Sequence, residues 1–298
     1  MSVQHHTFPT VPGRVVVFGS SGFVGRHLLA HLREELIPTV GIASADLDLT
    51  HPTAAARLSH TLQQEDAVVF LAALTPDKGN DIHALMRNLA MAHSLAALDS
   101  PPSLAHVIYV SSDAVYSLTD TPLSESSVPD PPTLYGHMHL LREKMVAHLC
   151  EVWRCPLLIV RPCALFGPGD THNSYGPNRF IRSADLEQRI TLFGDGEEQR
   201  DHLYVLDFVR LLGLCLRHRS AGLVNAATGA SVSFLELATQ VAGQCAGRVD
   251  VVRQPRRTPV THRHFDISAL IRAFPAFRFT QRNTALRATA DALRVPVA

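Results

Sequence analysis

Three glycines stand three residues apart, Gly19, Gly22 and Gly25, directly after the apolar run Val15-Val16-Val17-Phe18. Behind them, Arg26-His27-Leu28-Leu29-Ala30-His31-Leu32 carries apolar residues at helical spacing. Strand, tight glycine turn and helix, in that order, make a cradle for an anion. A helix start offers unpaired N–H groups and the positive end of its dipole, and glycines let the backbone approach a pyrophosphate. Taken alone, the spacing also suits an ordinary strand-to-helix turn. Further on, an apolar run from His106 ends in Ser111, Ser112 and Asp113, a cluster of hydroxyls and one carboxylate. Tyr135 and His139 open a later helix four residues apart, so their side chains point the same way.

The elements that must position these groups read as an alternation of strands and helices. Residues 38–44 form a second strand, with Ser44 at the place where an acidic residue favours NAD and a basic one NADP. Asp48 fits either an adenine neighbour or a helix cap. Residues 66–73 form a buried strand ending in Leu71, Ala72 and Ala73, small enough at the tip to leave room for a cofactor backbone. A helix over 82–98 carries Asn88 at its middle, either solvent-facing or a polar hub beneath a site. The alternation breaks near Gly167, where Gly, Pro, Asn and His crowd residues 167–178. These signals predict an α/β protein with a Rossmann-type, doubly wound parallel sheet and a smaller C-terminal substrate-binding lobe. Residues 1–12 read as a flexible N-terminus and 13–166 as the dinucleotide-binding part, with a return segment at about 206–230. Residues 167–205 and 231–298 then make the second lobe.

Composition bounds the function. The 298-residue chain is 46% hydrophobic with zero formal charge, so no basic face advertises nucleic acid. No apolar run approaches the roughly 20 residues that span a bilayer, and the N-terminus lacks a signal pattern. Five cysteines without a C-x-x-C fit a reduced, cytoplasmic protein. His5-His6 reads as a solvated pair, and no metal site is expected.

Jointly, these stretches resemble the extended short-chain dehydrogenase/reductases, in their NAD-dependent sugar-nucleotide epimerase/dehydratase branch. The resemblance is carried by Gly19 to Gly25, Phe70-Leu71-Ala72-Ala73, Asn88, Ser111 to Tyr116, Leu134-Tyr135-Gly136, Arg161-Pro162 with Phe166 to Gly169, and Gly194 to Val205. It implies hydride transfer with Tyr135 as base and Ser112 bonding the reacting oxygen. NAD, with NADP not excluded, would be lined by Gly19, Ser21, Gly22, Phe23, Val24, Gly25, Asp48, Leu71, Ala72, Ala73, Asn88, Tyr135 and His139. A nucleotide-diphosphate sugar would meet Asn178, Arg200 and Arg263, with Arg256 and Arg257 competing for the last role. A homodimer through helices at 82–98 and 135–149 is a further implication.

Two departures from the family pattern matter. The family places Lys four residues after the tyrosine, where it binds ribose and lowers the tyrosine pKa; here that residue is His139. Three outcomes stay open: a protonated His139 does the work, turnover is slow or limited to an easier substrate, or catalysis is lost and a cofactor-binding protein remains. Dehydratases of the family follow the Ser/Thr with Asp and Glu, whereas Asp113 is followed by Ala114. The expectation is therefore epimerisation, at C4, with reduction of a 4-keto-sugar as the alternative. Asp113 reads as a proton donor or as a polar strand end.

Overall fold

The fold is seen in a computed structural model that describes residues 3–5, 8–98 and 102–294. Its centre is a six-stranded, all-parallel sheet of β1 (Val15–Phe18), β2 (Thr39–Ile42), β3 (Ala67–Phe70), β4 (His106–Val110), β5 (Leu157–Pro162) and, after three short intervening strands of the second lobe and one more, β10 (Gly222–Ala226). The spatial order is β10-β5-β4-β3-β1-β2. Strands β1 and β3 are buried along their whole length, as continuous valine-rich runs in a parallel sheet require. Val15 and Val17 face a core with Leu28, Leu32, Phe208 and Leu212; Val16 and Phe18 face another with Leu58, Leu95, Val146 and Leu149. That alternation puts α1 (Phe23–Glu34) and α6 (Val205–Arg217) on one face, and α2 (Ala54–Thr61), α3 (Ile82–Ala96) and α4 (Leu134–Trp153) on the other.

The order reverses between β1 and β3. In such sheets the crevice opens at the carboxyl ends of the strands beside that switch point. Phe18 is level with Phe70, and Phe70 with Tyr109, so Gly19, Leu71 and Ser111 lie along one edge of the sheet.

The second lobe is built from β6 (Ala164–Phe166), α5 (Pro177–Glu187), β7 (Arg189–Phe193), β8 (Gln199–Arg200), β9 (His202–Tyr204), β11 (Val232–Ser233), α7 (Phe234–Ala242), β12 (Asp250–Gln254) and α9 (Arg282–Arg294), while α8 (Ser268–Ala273) packs back on β10 of the central sheet. Strand β12 runs parallel to β7, and Phe180, Ile190, Leu237 and Leu286 fill a third core.

Part of the N-terminal segment, expected to be flexible, makes contacts with the body of the fold. Gln4 exchanges backbone hydrogen bonds with Ala221, and His5 Nδ1 lies 2.7 Å from Ser220 Oγ. The ring of His5 also packs 4.7 Å from that of Phe274, a burial that anchors the segment. His6 lies outside the described residues.

Candidate active site

The glycine turn is shaped by lack of space. Gly19 has φ +86°, and a Cβ there would lie 2.8 Å from Ala72 N. At Gly25 a Cβ would lie 2.2 Å from Gly19 O, so only hydrogen fits beneath the start of α1. Gly22 precedes α1 and no side chain caps it, which leaves the first helical N–H groups to an outside acceptor. Phe23 is buried in α1, and Val24 packs against the core on the α1 side of the sheet. Ser21 O accepts from Arg26 NH1 at 2.8 Å. Arg26 NH2 also donates to Gly169 O at 3.0 Å, and His27 Nε2 lies 2.8 Å from Pro168 O. The cradle is thus tethered to the first loop of the second lobe. Asp48 is exposed and takes two bonds from Thr50, at 2.9 Å and 2.8 Å, which hold its carboxyl below its ordinary range. It fixes its own turn and caps no helix, since α2 begins after Thr53.

Asn88 is buried and acts as a hub. Its Oδ1 accepts from Leu74 N at 2.8 Å, and its Nδ2 donates to Leu74 O and Ala84 O at 3.1 Å and 3.0 Å. It therefore fixes the loop that follows Leu71, Ala72 and Ala73.

Tyr135 sits in the first turn of α4, whose start is capped by Thr133 Oγ1 accepting from Gly136 N at 3.1 Å. Gly136 packs on the one-turn helix Asp113–Val115, where a Cβ would come 2.1 Å from Ala114 O. This close approach brings Ser112 and Asp113 to Tyr135. Ser112 Oγ accepts from Ala114 N at 3.1 Å and donates to Asp113 Oδ1 at 3.4 Å. Burial, and then the charge of Asp113, push the Tyr135 hydroxyl up to about 12, against the pull of Arg142 and a hydrogen bond with Ser112.

His139 is 2% exposed, and its ring meets that of Tyr135 edge-on at 4.6 Å. Burial, and then Arg142, drive its pKa well below the ordinary value, so it is neutral. The imidazole is desolvated beside a guanidinium that opposes its charge. Its Nδ1 lies 2.9 Å from Tyr109 OH, while its buried Nε2 has no hydrogen-bond partner.

Sequence reading missed two further residues of this face, Arg142 and Glu143. Arg142, 0% exposed, donates to Ala72 O at 2.8 Å and stacks 4.4 Å above the Phe70 ring. Glu143 takes both arms of Arg161, at 2.9 Å and 2.6 Å, together with Ser111 Oγ at 2.5 Å. Arg161 NH1 also donates to Tyr116 OH at 2.8 Å. The signal was present in the spacing, since 135, 139, 142 and 143 share one helical face.

The three residues expected to meet a diphosphate are otherwise engaged. Asn178 makes a two-way bond with the backbone of Gly167, its Oδ1 accepting from Gly167 N at 2.9 Å and its Nδ2 donating to Gly167 O at 2.8 Å. Arg263 pairs with Asp113 Oδ2 at 2.9 Å and donates to Asp113 O at 2.8 Å, so it clamps the Ser112–Asp113 segment. Arg200 is held by Glu198 at 3.1 Å and by Thr261. Arg256 and Arg257 line a cavity of about 560 Å³ with Tyr175, Phe193 and Glu198. Arg256 pairs there with Glu198 at 2.6 Å.

These residues fit a dinucleotide on structural grounds. The cradle is one that any Cβ would fill, and a buried, unpartnered imidazole nitrogen lies beside the phenol. Residues 15–227 match the NAD dependent epimerase/dehydratase family. The GDP-6-deoxy-D-mannose reductase of Pseudomonas aeruginosa is 29% identical over 82% of this chain and 84% of its own length. Among solved structures, the UDP-N-acetylglucosamine 4-epimerase from Methanobrevibacter ruminantium M1 superposes with a TM-score of 0.81 at 24% identity, covering 94% of this chain and 98% of that one. RMD from Pseudomonas aeruginosa complexed with NADPH gives 0.80 at 24% identity, covering 94% and 98%. With its cradle, its switch-point crevice and a family match over most of its length, this chain belongs to the NAD dependent epimerase/dehydratase family and is an NAD(P)-dependent sugar-nucleotide enzyme of that kind.

Proposed function

We propose that this enzyme reduces a keto group, at C4, on the sugar of a nucleotide-diphosphate sugar, with Tyr135 as proton donor. The carrying observation is that Tyr135 stands beside Asp113 and a neutral His139, a setting that keeps its proton on. The bound nicotinamide supplies the hydride. Tyr135 gives its proton to the carbonyl oxygen as charge develops there, and Ser112 steadies that oxygen with a hydrogen bond. Ala114 leaves Asp113 without the second carboxylate that an elimination of water would use. The nucleotide end is assigned to the cavity between Tyr175, Phe193, Arg256 and Arg257.

Epimerisation at C4 is the second reading, favoured by the bonds from Arg26 and His27 that close the lobe over the cradle and would retain the coenzyme through oxidation and re-reduction. A homodimer is proposed through α3 and α4, which expose Ile82, Met86, Leu134 and Leu141. Cytoplasmic residence is proposed on the five free cysteines.

The test supplies a nucleotide-linked 4-keto-6-deoxyhexose with NADPH or NADH. Reduced coenzyme should be consumed one for one with keto-sugar. Tyr135→Phe should slow turnover by about 10²–10⁴-fold while the coenzyme still binds. Interconversion of 4-hydroxy sugar nucleotides with no net consumption of reduced coenzyme would replace reduction by epimerisation.

A further inference from the structure

Arg142 poses a physical problem. It is fully buried, yet among the described residues no carboxylate pairs with it. The neighbouring carboxylate, Glu143, is spent on Arg161 and Ser111. Guanidinium remains charged in proteins, and a buried charge without a counter-charge is costly. Its surroundings only partly offset this. Ala72 O accepts at 2.8 Å, Asn88 Oδ1 at 3.5 Å, and the rings of Phe70 and Tyr109 lie 4.4 Å and 5.3 Å away, while Nε has no partner. Arg142 follows His139 by three residues and Tyr135 by seven, on the same face of α4.

His139 poses the complementary problem of which nitrogen carries the proton. Tyr109 is 0% exposed, and burial holds its phenol in the protonated state. If Tyr109 donates to Nδ1, its hydrogen is satisfied and Nε2 carries the imidazole proton. In the reverse arrangement, both the Tyr109 hydrogen and the Nε2 lone pair would be left buried and unmatched, which is the costlier state. The first arrangement makes His139 a fixed Nε2–H donor.

We propose that His139 and Arg142 divide the work of a single ammonium group. His139, its tautomer set by Tyr109, offers an Nε2–H donor to the bound coenzyme, and Arg142 supplies the permanent positive charge that stabilises Tyr135 as its proton leaves. Tyr109 is a positioning residue in this scheme. The groups facing Tyr135 are Asp113 and Asp77, which oppose its ionisation, and Arg142 with the Ser112 hydroxyl, which favour it. Arg263 tempers Asp113 through their ion pair, and His172 Nδ1 lies 2.9 Å from Asp77 Oδ1. The inference rests on the assignment of Tyr135 as proton donor. Its test reads ionisation and tautomer rather than turnover, so an inactive wild-type protein with any keto-sugar would sink the reductase reading without touching this result.

Carbon-13 labelling of tyrosine, with Tyr135→Phe to assign the resonance, follows Tyr135 against pH in the intact protein with and without NADPH. Arg142→Met should cut the phenolate fraction of Tyr135 read at about pH 10.5 about tenfold, the equivalent of about one pH unit. Arg142→Lys should hold it near wild type. Should Arg142→Met fail to fold, His139→Lys/Arg142→Met returns a cation one turn nearer and should titrate at or below wild type. Nitrogen-15 spectra should show His139 protonated at Nε2 alone, and Tyr109→Phe should mix the tautomers and weaken NADPH binding. An unmoved Tyr135 titration in Arg142→Met, or in the double variant a titration above wild type, overturns the charge role. An Nδ1-protonated His139 overturns the donor role.

Discussion

Glu143 and Arg161 show what a single buried pair does for this site. Two short bonds join them, and Ser111 and Tyr116 satisfy what remains. Glu143→Gln leaves Arg161 buried without its anion, and chemical denaturation should show a loss of about 3–5 kcal/mol. Glu143→Leu/Arg161→Met, which removes both charges, should recover most of that loss. Ser112, Asp113, Tyr135 and His139 were legible because their types and order are distinctive. Arg142 and Glu143 were not, because charged residues within a helix are ordinarily read as its solvated face. Their burial is decided by Ala72 O, Asn88 and Arg161, partners far away in sequence. For the same reason the bonds of Asn178 and Arg263 to backbone groups of the turns beside them were not legible in the sequence.

At the scale of elements, the contact between α4 and the Asp113–Val115 turn is set by one missing side chain. Gly136→Ala would drive a Cβ to 2.1 Å from Ala114 O and 2.6 Å from Pro131 Cβ, and the first of these atoms is backbone. The expected cost is about 1–3 kcal/mol, seen as a lower Tm. Turnover should fall further than stability alone explains, because Ser112 and Asp113 move away from Tyr135. Strands β1, β3 and β4 were readable as apolar runs, and α1 from its periodicity. Strand β12 and helix α9 were not. β12 is edged by Asp250, Arg253 and Gln254, and α9 buries only Ala285, Leu286 and Thr289, so neither has a strong apolar pattern. Each forms because β7 or α5 is already there to receive it.

Across the whole molecule, buried histidines tie stability to pH. His202 is fully enclosed, and burial followed by Arg282 and Arg200 depresses its pKa to about 3. His139 is depressed in the same direction. Unfolded, both would bind protons near pH 6.5, whereas folded they stay neutral. Stability is therefore full above about pH 6.5 and falls as pH drops toward the folded values, by about 2 kcal/mol for His202 between pH 7 and 5. Urea denaturation at the two pH values should show that slope, flattened by His202→Gln; parallel slopes would refute the assignment.

The acceptors offered to Arg26 and His27 are main-chain carbonyls of Pro168 and Gly169. Every amino acid carries such a group, so in these two bonds the side-chain partner lies on the helix side alone. Residue 168 can exchange its side chain without losing the grip, whereas residue 169, at φ +74° and with a Cβ position 3.3 Å from Arg26 Nη2, is suited to glycine. Changes at positions 26 and 27 would remove these two bonds and leave the loop to Asn178 and Arg182.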